Sequence, residues 1–123
     1  MKKKIAILGS TGSIGKALIN ILKKDKQNFE IVLLSANKNI LELEKQADFF
    51  KVKNLIVTNK KSYLKLKSKK KFKKKKIFNN FLLLDKIFKN KIDYVMSSIS
   101  GLEGLNPTIK IIKHTKKIAI ANK

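Results

Sequence analysis

A chain of 123 residues with 30 basic and 8 acidic side chains, a formal net charge of +22 and 43% hydrophobic residues has enough apolar content for one modest core, which excludes wholesale disorder. It contains no cysteine, so a disulfide framework and a thiolate metal site are excluded. Its longest apolar runs are about five or six residues, far short of the roughly 20 needed to span a bilayer, and a soluble, intracellular protein without a membrane partner is expected.

The first run, KKIAIL (Lys3 to Leu8), is rich in isoleucine and bounded by charge and then glycine, which predicts a buried strand. From Ser13 to Lys24 the residues Ile14, Ala17, Leu18, Ile21 and Leu22 recur at steps of three and four, the apolar face of a helix. FEIVLLSA (Phe29 to Ala36) reads as a second strand covered on both faces. Ile40, Leu43, Ala47 and Phe50 mark a second amphipathic helix, capped by Asn39 with Glu42 three residues on. KNLIVTN (Lys53 to Asn59) is a third strand.

Between Lys60 and Lys76, eleven of seventeen residues are lysine. Self-repulsion predicts a short frayed helix running into a mobile surface loop over 60–76. Ile77 to Asn90 reads as helical, Ile92 to Ser100 as a strand, Pro107 as a first-turn residue of a helix carrying Ile109, Ile111 and Ile112, and Lys116 to Asn122 as a final strand. Strands alternating with helices at this spacing predict one α/β domain over 1–123. It is Rossmann-like and doubly wound, with a mainly parallel sheet and helices on both faces.

In such sheets ligands bind beyond the carboxyl ends of the strands. The first loop there is Gly9-Ser10-Thr11-Gly12-Ser13-Ile14-Gly15, spaced G-x-x-G-x-x-G. Gly9 permits a tight turn, Gly12 lets backbone N–H groups approach a pyrophosphate, and Gly15 lets the helix lie close to the strand. The helix N-terminus adds unpaired N–H groups and a positive dipole end, and Thr11 and Ser13 add hydroxyls. The frame is not that of a Walker loop. At the end of the second strand an NAD site usually carries an acid for the ribose 2′-hydroxyl. This chain offers Ser35, Ala36, Asn37, Lys38 and Asn39 instead, which suits a 2′-phosphate and so favours NADP.

Ser98, Ser100 and Gly101 either face the nicotinamide half of the cofactor or simply end a strand. The single histidine, His114, sits near a helix end, where exposure is usual and no catalytic role is expected. Asp85, Asp93 and Glu103 stand in unrelated contexts, so no metal cluster is expected. Every basic residue is lysine. Nucleic-acid surfaces favour arginine for bidentate contacts and aromatic faces for stacking. Lysine here accompanies abundant Ile, Asn and Phe, as in a genome biased toward A and T, and no specific nucleic-acid partner is expected. A basic nucleic-acid-binding module and a different NADP-dependent dehydrogenase domain are the competing readings.

The segments ILGSTGSIGKALINIL, FEIVLLSANKNI, MSSISGLEGLNPTI and IAIANK together resemble the N-terminal portion of the 1-deoxy-D-xylulose 5-phosphate reductoisomerases. Those enzymes make 2-C-methyl-D-erythritol 4-phosphate in non-mevalonate isoprenoid biosynthesis. The resemblance covers nearly the whole chain and is weakest over 60–76. It implies that Gly9, Thr11, Gly12, Ser13, Ile14 and Gly15 form the NADPH pyrophosphate site and that Asn37, Lys38 and Asn39 hold the adenosine ribose with its 2′-phosphate. By the same resemblance Asn122 contacts the cofactor near its reacting end and Lys123 reaches the sugar phosphate substrate. In the family a metal-binding catalytic domain follows, and its magnesium or manganese ligands have no counterpart in these residues. The chain is therefore expected to be a fragment of an oxidoreductase, inactive alone, with no catalytic or metal-binding residue of its own. A homodimeric parent in a bacterial cytoplasm or a plastid-type stroma is implied.

Overall fold

The computed structural model describes residues 2–99 and 105–121, with Leu105 described by its backbone alone. Six strands form one sheet: β1 (Lys3–Leu8), β2 (Phe29–Ala36), β3 (Asn54–Val57), β4 (Lys76–Phe78), β5 (Ile92–Ser97) and β6 (Thr115–Ile120). Every pairing is parallel, in the order β4-β3-β2-β1-β5-β6. The order runs outward from β1 to β4 on one side and restarts at β5 on the other. The loops after β1 and β5 therefore diverge and open a crevice at the carboxyl ends of the strands.

The helices are α1 (Ser13–Lys23), α2 (Ile40–Phe50), α3 (Lys60–Lys67), α4 (Leu84–Ile87) and α5 (Leu105–Ile112). Ile5 and Ile7 point to a core layer with Ile19, Leu43, Ala47, Phe50 and Leu66, so α1, α2 and α3 cover one face. Ala6 and Leu8 point the other way, to Leu84, Phe88 and Ile111, so α4 and α5 cover the opposite face. A register shift between Ile5 and Ala6 against β2 turns Ile31 to the first layer and Leu33 to the second.

Three elements depart from expectation. The buried stripe of α1 is Gly15, Ile19 and Leu22, with Ile21 65% exposed and Ala17 in water. The close seating of Gly15, described below, sets the rotation of this helix. Second, the lysine-rich stretch, expected as a frayed helix entering a loop, carries α3, a 3₁₀ turn (Lys70–Phe72) and the start of β4. Asn59 caps α3 by accepting from Ser62 N–H at 3.0 Å. Leu66 and Phe72 are 0% and 2% exposed, and Lys69 and Lys71 pair with Glu44 and Asp48. Two buried anchors and two carboxylates hold the segment although its other lysines repel one another.

The third is the helix expected over Ile77 to Asn90, which is present only as α4. Ile77 belongs to β4, paired with Leu55. Asn79 Nδ2 then donates to the carbonyls of Val57 at 2.9 Å and Thr58 at 3.3 Å, and Asn80 Oδ1 accepts from Leu82 N–H at 2.9 Å. These local side-chain bonds give the backbone an alternative to the helix.

Candidate functional site

The loop between β1 and α1 is fixed from several directions. Gly9 turns the chain at φ +75°, a conformation other residues rarely adopt. Its N–H donates to Ser35 Oγ at 2.9 Å, and Ser10 N–H donates to the Ser35 carbonyl at 2.9 Å. Gln46 Nε2 reaches from α2 to the Ser10 carbonyl at 2.9 Å, and Ser98 Oγ donates to the carbonyls of Leu8 at 2.9 Å and Gly9 at 3.0 Å. Groups from β2, α2 and the end of β5 thus hold the loop before any ligand arrives.

The three glycines have separate jobs. A Cβ on Gly15 would lie 2.7 Å from Ser10 C and Cα and closer still to the Gly9 carbonyl oxygen. Gly15 is buried, and its role is to let α1 seat against the loop. A Cβ on Gly12 would meet nothing nearer than Gly9 O at 3.7 Å. Nothing in the fold itself demands glycine there. Gly12 is exposed, caps α1 in extended backbone (φ −76°, ψ 174°) and lines the crevice.

That crevice has a volume of about 500 Å³. Gly9, Thr11 and Gly12 line it from the first loop, with Ser35, Ala36 and Asn37 from the end of β2. Thr58, Phe81, Ser98, Ile99 and Pro107 complete it. The N-terminus of α1 opens beside it with no side-chain cap and no acid in its first turn. Its leading N–H groups therefore offer donors and a positive dipole end to an anion.

Of the residues expected to bind, the structure brings Gly9, Thr11, Gly12 and Asn37 together at the crevice. Ser13 and Ile14 form the first turn of α1 beside it, and Gly15 lies beneath. Asn37 Oδ1 accepts from Thr58 Oγ1 at 3.0 Å, leaving its amide NH₂ as a donor. Lys38 is exposed and, like Asn39, follows the lining residue Asn37 without lining the crevice itself. Asn39 caps α2 as its position three residues before Glu42 predicts, its Oδ1 accepting from Glu42 N–H at 3.2 Å. Only its amide NH₂ is left for a ligand. Ser100, Gly101, Asn122 and Lys123 lie outside the described residues. Among the described residues no three His, Cys, Asp or Glu side chains are placed to hold a metal ion.

Sequence reasoning missed Gln46, Thr58 and Phe81. Gln46 had a visible signal: it lies on the apolar stripe of Leu43, Ala47 and Phe50 and is 1% exposed. Asp85 and Asp93 are not idle either. Asp85 sits 3.3 Å from His114 Nε2 and 3.7 Å from Lys113 Nζ, and Asp93 accepts from Lys4 N–H at 2.8 Å. His114 is not exposed as its position suggested. Its side chain is 11% exposed, with its ring 5.5 Å from that of Phe88, and burial lowers its pKa against the pull of Asp85. It lies between α5 and β6 and does not line the crevice.

The family model of 1-deoxy-D-xylulose 5-phosphate reductoisomerase matches residues 5–123. A relative of that name from Pelagibacter ubique is 58% identical over 98% of this chain and 32% of its own length. One from Clostridium kluyveri is 40% identical over 98% of this chain and 32% of its own. This chain spans about a third of the curated relatives it matches. Among solved structures, the Zymomonas mobilis enzyme in complex with NADPH superposes at a TM-score of 0.86 and 24% identity, over 99% of this chain and 32% of that one; at this identity the likeness shows the fold. A reductoisomerase in complex with NADPH, fosmidomycin and magnesium superposes at 0.84 and 26% identity, over 98% of this chain and 30% of that one.

Proposed function

Since this chain belongs to the 1-deoxy-D-xylulose 5-phosphate reductoisomerase family, we propose that it is the part of such an enzyme that binds NADPH. The observation that carries the reading is Gly12. It is a glycine the fold does not need, set at the mouth of the crevice and at the open N-terminus of α1. A ligand passing over its Cα gives the missing side chain a purpose.

In this reading the N–H groups at the start of α1 and the hydroxyls of Thr11 and Ser13 hold the pyrophosphate, with Ile14 in the same turn. Gly9 and Gly15 shape the loop. Gln46 and Ser98 act as positioning residues by fixing the carbonyls of Ser10, Leu8 and Gly9. The amides of Asn37 and Asn39 and the ammonium of Lys38 receive the ribose and its 2′-phosphate, with no carboxylate in that loop to repel it. Asn122 meets the cofactor near its reacting end, and Lys123 meets the sugar phosphate. NADPH, when bound, supplies the hydride for reduction of a carbonyl carbon.

The parent activity is the conversion of 1-deoxy-D-xylulose 5-phosphate to 2-C-methyl-D-erythritol 4-phosphate, in a homodimer of the cytoplasm or a plastid-type stroma. The divalent metal that activity uses has no donor set among the described residues. Among the same residues no helix is long and apolar enough to cross a membrane.

Gly12→Ala tests the reading. The added Cβ meets nothing nearer than 3.7 Å, and the poorer N-cap costs no more than about 1 kcal/mol, a fall in melting temperature of at most about 4–8 °C. The added methyl stands where the ligand passes, and NADPH affinity falls at least about tenfold, or about 1.4 kcal/mol. Unchanged NADPH affinity in a folded variant overturns the proposed use of Gly12.

A further inference from the structure

At the other end of the sheet from the glycine loop lies a groove of about 440 Å³ that the proposed cofactor role does not use. Lys4, Lys53, Lys74 and Lys76 border it at or beside the amino ends of β1, β3 and β4. Lys86 of α4, with Lys89 and Lys91 of the segment before β5, borders it too. We propose that this groove is a binding site for a chain of closely spaced phosphates, with inorganic polyphosphate as the ligand class.

Composition alone does not account for the arrangement. Lysine makes up seven of the eight exposed lining residues, the eighth being Asn90, against about half of all exposed positions among the described residues. The seven come from separated parts of the sequence and converge on a concavity, where like charges repel more than on a convex solvated face. Among the described residues the carboxylates that form ion pairs are Glu44, Asp48, Asp85 and Asp93. Their partners are Lys69, Lys71, Lys113, His114 and Lys116, none of which lines the groove. Glu30, beside Lys4 in the register of β1 and β2, is not among the lining residues either. Among the described residues no carboxylate lines the groove, and an external anion would neutralise its charge.

The one aromatic in the lining, Phe88, is 6% exposed and unavailable for stacking on a base. Lysine ammonium groups serve as point charges for phosphate oxygens. A phosphate chain without bases meets all of these conditions, and its high charge density matches the crowding of the lysines.

The test titrates the full chain with inorganic polyphosphate of about ten units, whose contacts are salt-dependent by counterion release. With four or five lysines engaged, affinity falls by about 50- to 130-fold between 50 and 200 mM salt. The variant K86Q/K89Q/K91Q, all at exposed positions, lowers affinity at 50 mM salt by at least about tenfold and flattens the salt slope by about two units. The control K45Q/K61Q/K65Q removes the same charge from exposed positions on α2 and α3 and changes affinity by less than about threefold. Far-UV circular dichroism checks the folding of both. If the triple variant does not fold, K89Q alone, at an exposed position outside α4 and β5, is compared with K65Q. Equal losses in groove and control variants overturn the proposal and return the binding to overall charge. Tighter binding of single-stranded DNA with the same number of phosphates overturns it in favour of a nucleic-acid ligand.

Discussion

Replacing Gly15 by alanine is a direct way to ask whether the glycine loop is a packed joint. The new Cβ would stand 2.7 Å from two backbone atoms of Ser10 and closer to the Gly9 carbonyl, none of which belongs to a flexible side chain. The loop cannot simply recede, because Ser35, Gln46 and Ser98 hold it from three elements. Either α1 lifts from the sheet end or the loop breaks those bonds. Overpacking of this kind costs about 1–3 kcal/mol, and the lower backbone entropy of alanine in the unfolded chain offsets about 0.4–1 kcal/mol. The net is a loss of about 1–2 kcal/mol, a fall in melting temperature of about 3–12 °C for a domain of this size. Thermal unfolding followed by circular dichroism measures the fall, and urea unfolding shows whether the slope m is unchanged, as a native-state effect requires. A variant as stable as the parent, or more stable, refutes the account of why α1 sits where it does.

Two other expectations follow from the packing. Phe72→Ala removes a ring that is 2% exposed and lies in the same core layer as Leu66 and Phe50. The cost is about 3–5 kcal/mol, and a melting temperature within about 2 °C of the parent contradicts the anchoring of the lysine-rich segment. His114 has its pKa lowered by burial, with Asp85 opposing and Lys113 adding to the effect. In the window between that lowered value and the usual 6.5, the unfolded chain binds more protons than the folded one. Stability is therefore full above the usual value and is lost as pH falls through the lowered one. Melting curves between pH 7.5 and 5.5 show the loss, and His114→Gln flattens it; an unchanged slope contradicts the role of burial.

Much of the fold was legible in the sequence because its signals were local. The runs KKIAIL and FEIVLLSA, the cap at Asn39 and the stripe of Leu43, Ala47 and Phe50 each carry their own pattern, and the structure repeats them. What failed depended on distant partners. Phe72 and Leu66 become anchors only because a parallel sheet presents Leu55 and Val57 to them. Lys69 and Lys71 are steadied by acids more than twenty residues away. The end of α2 carries no glycine signal, since Lys51 itself takes the left-handed cap at φ 54°. At the candidate site the G-x-x-G-x-x-G spacing located the loop, but not the division of labour among its glycines. That required knowing what each Cβ would meet. Thr58 and Phe81 reach the crevice through strand order alone, which no short motif encodes.

The central claim is that an uncapped helix N-terminus and an acid-free loop at Asn37 to Asn39 together receive NADPH. Its most direct measurement is a calorimetric titration of the chain with NADPH and with NADH at physiological salt, where non-specific attraction to the lysines is screened. The account predicts saturable binding of one NADPH per chain, at least about tenfold tighter than NADH, a difference of about 1.4 kcal/mol for the 2′-phosphate. Equal affinities, tighter NADH, or no saturable binding of either contradicts it.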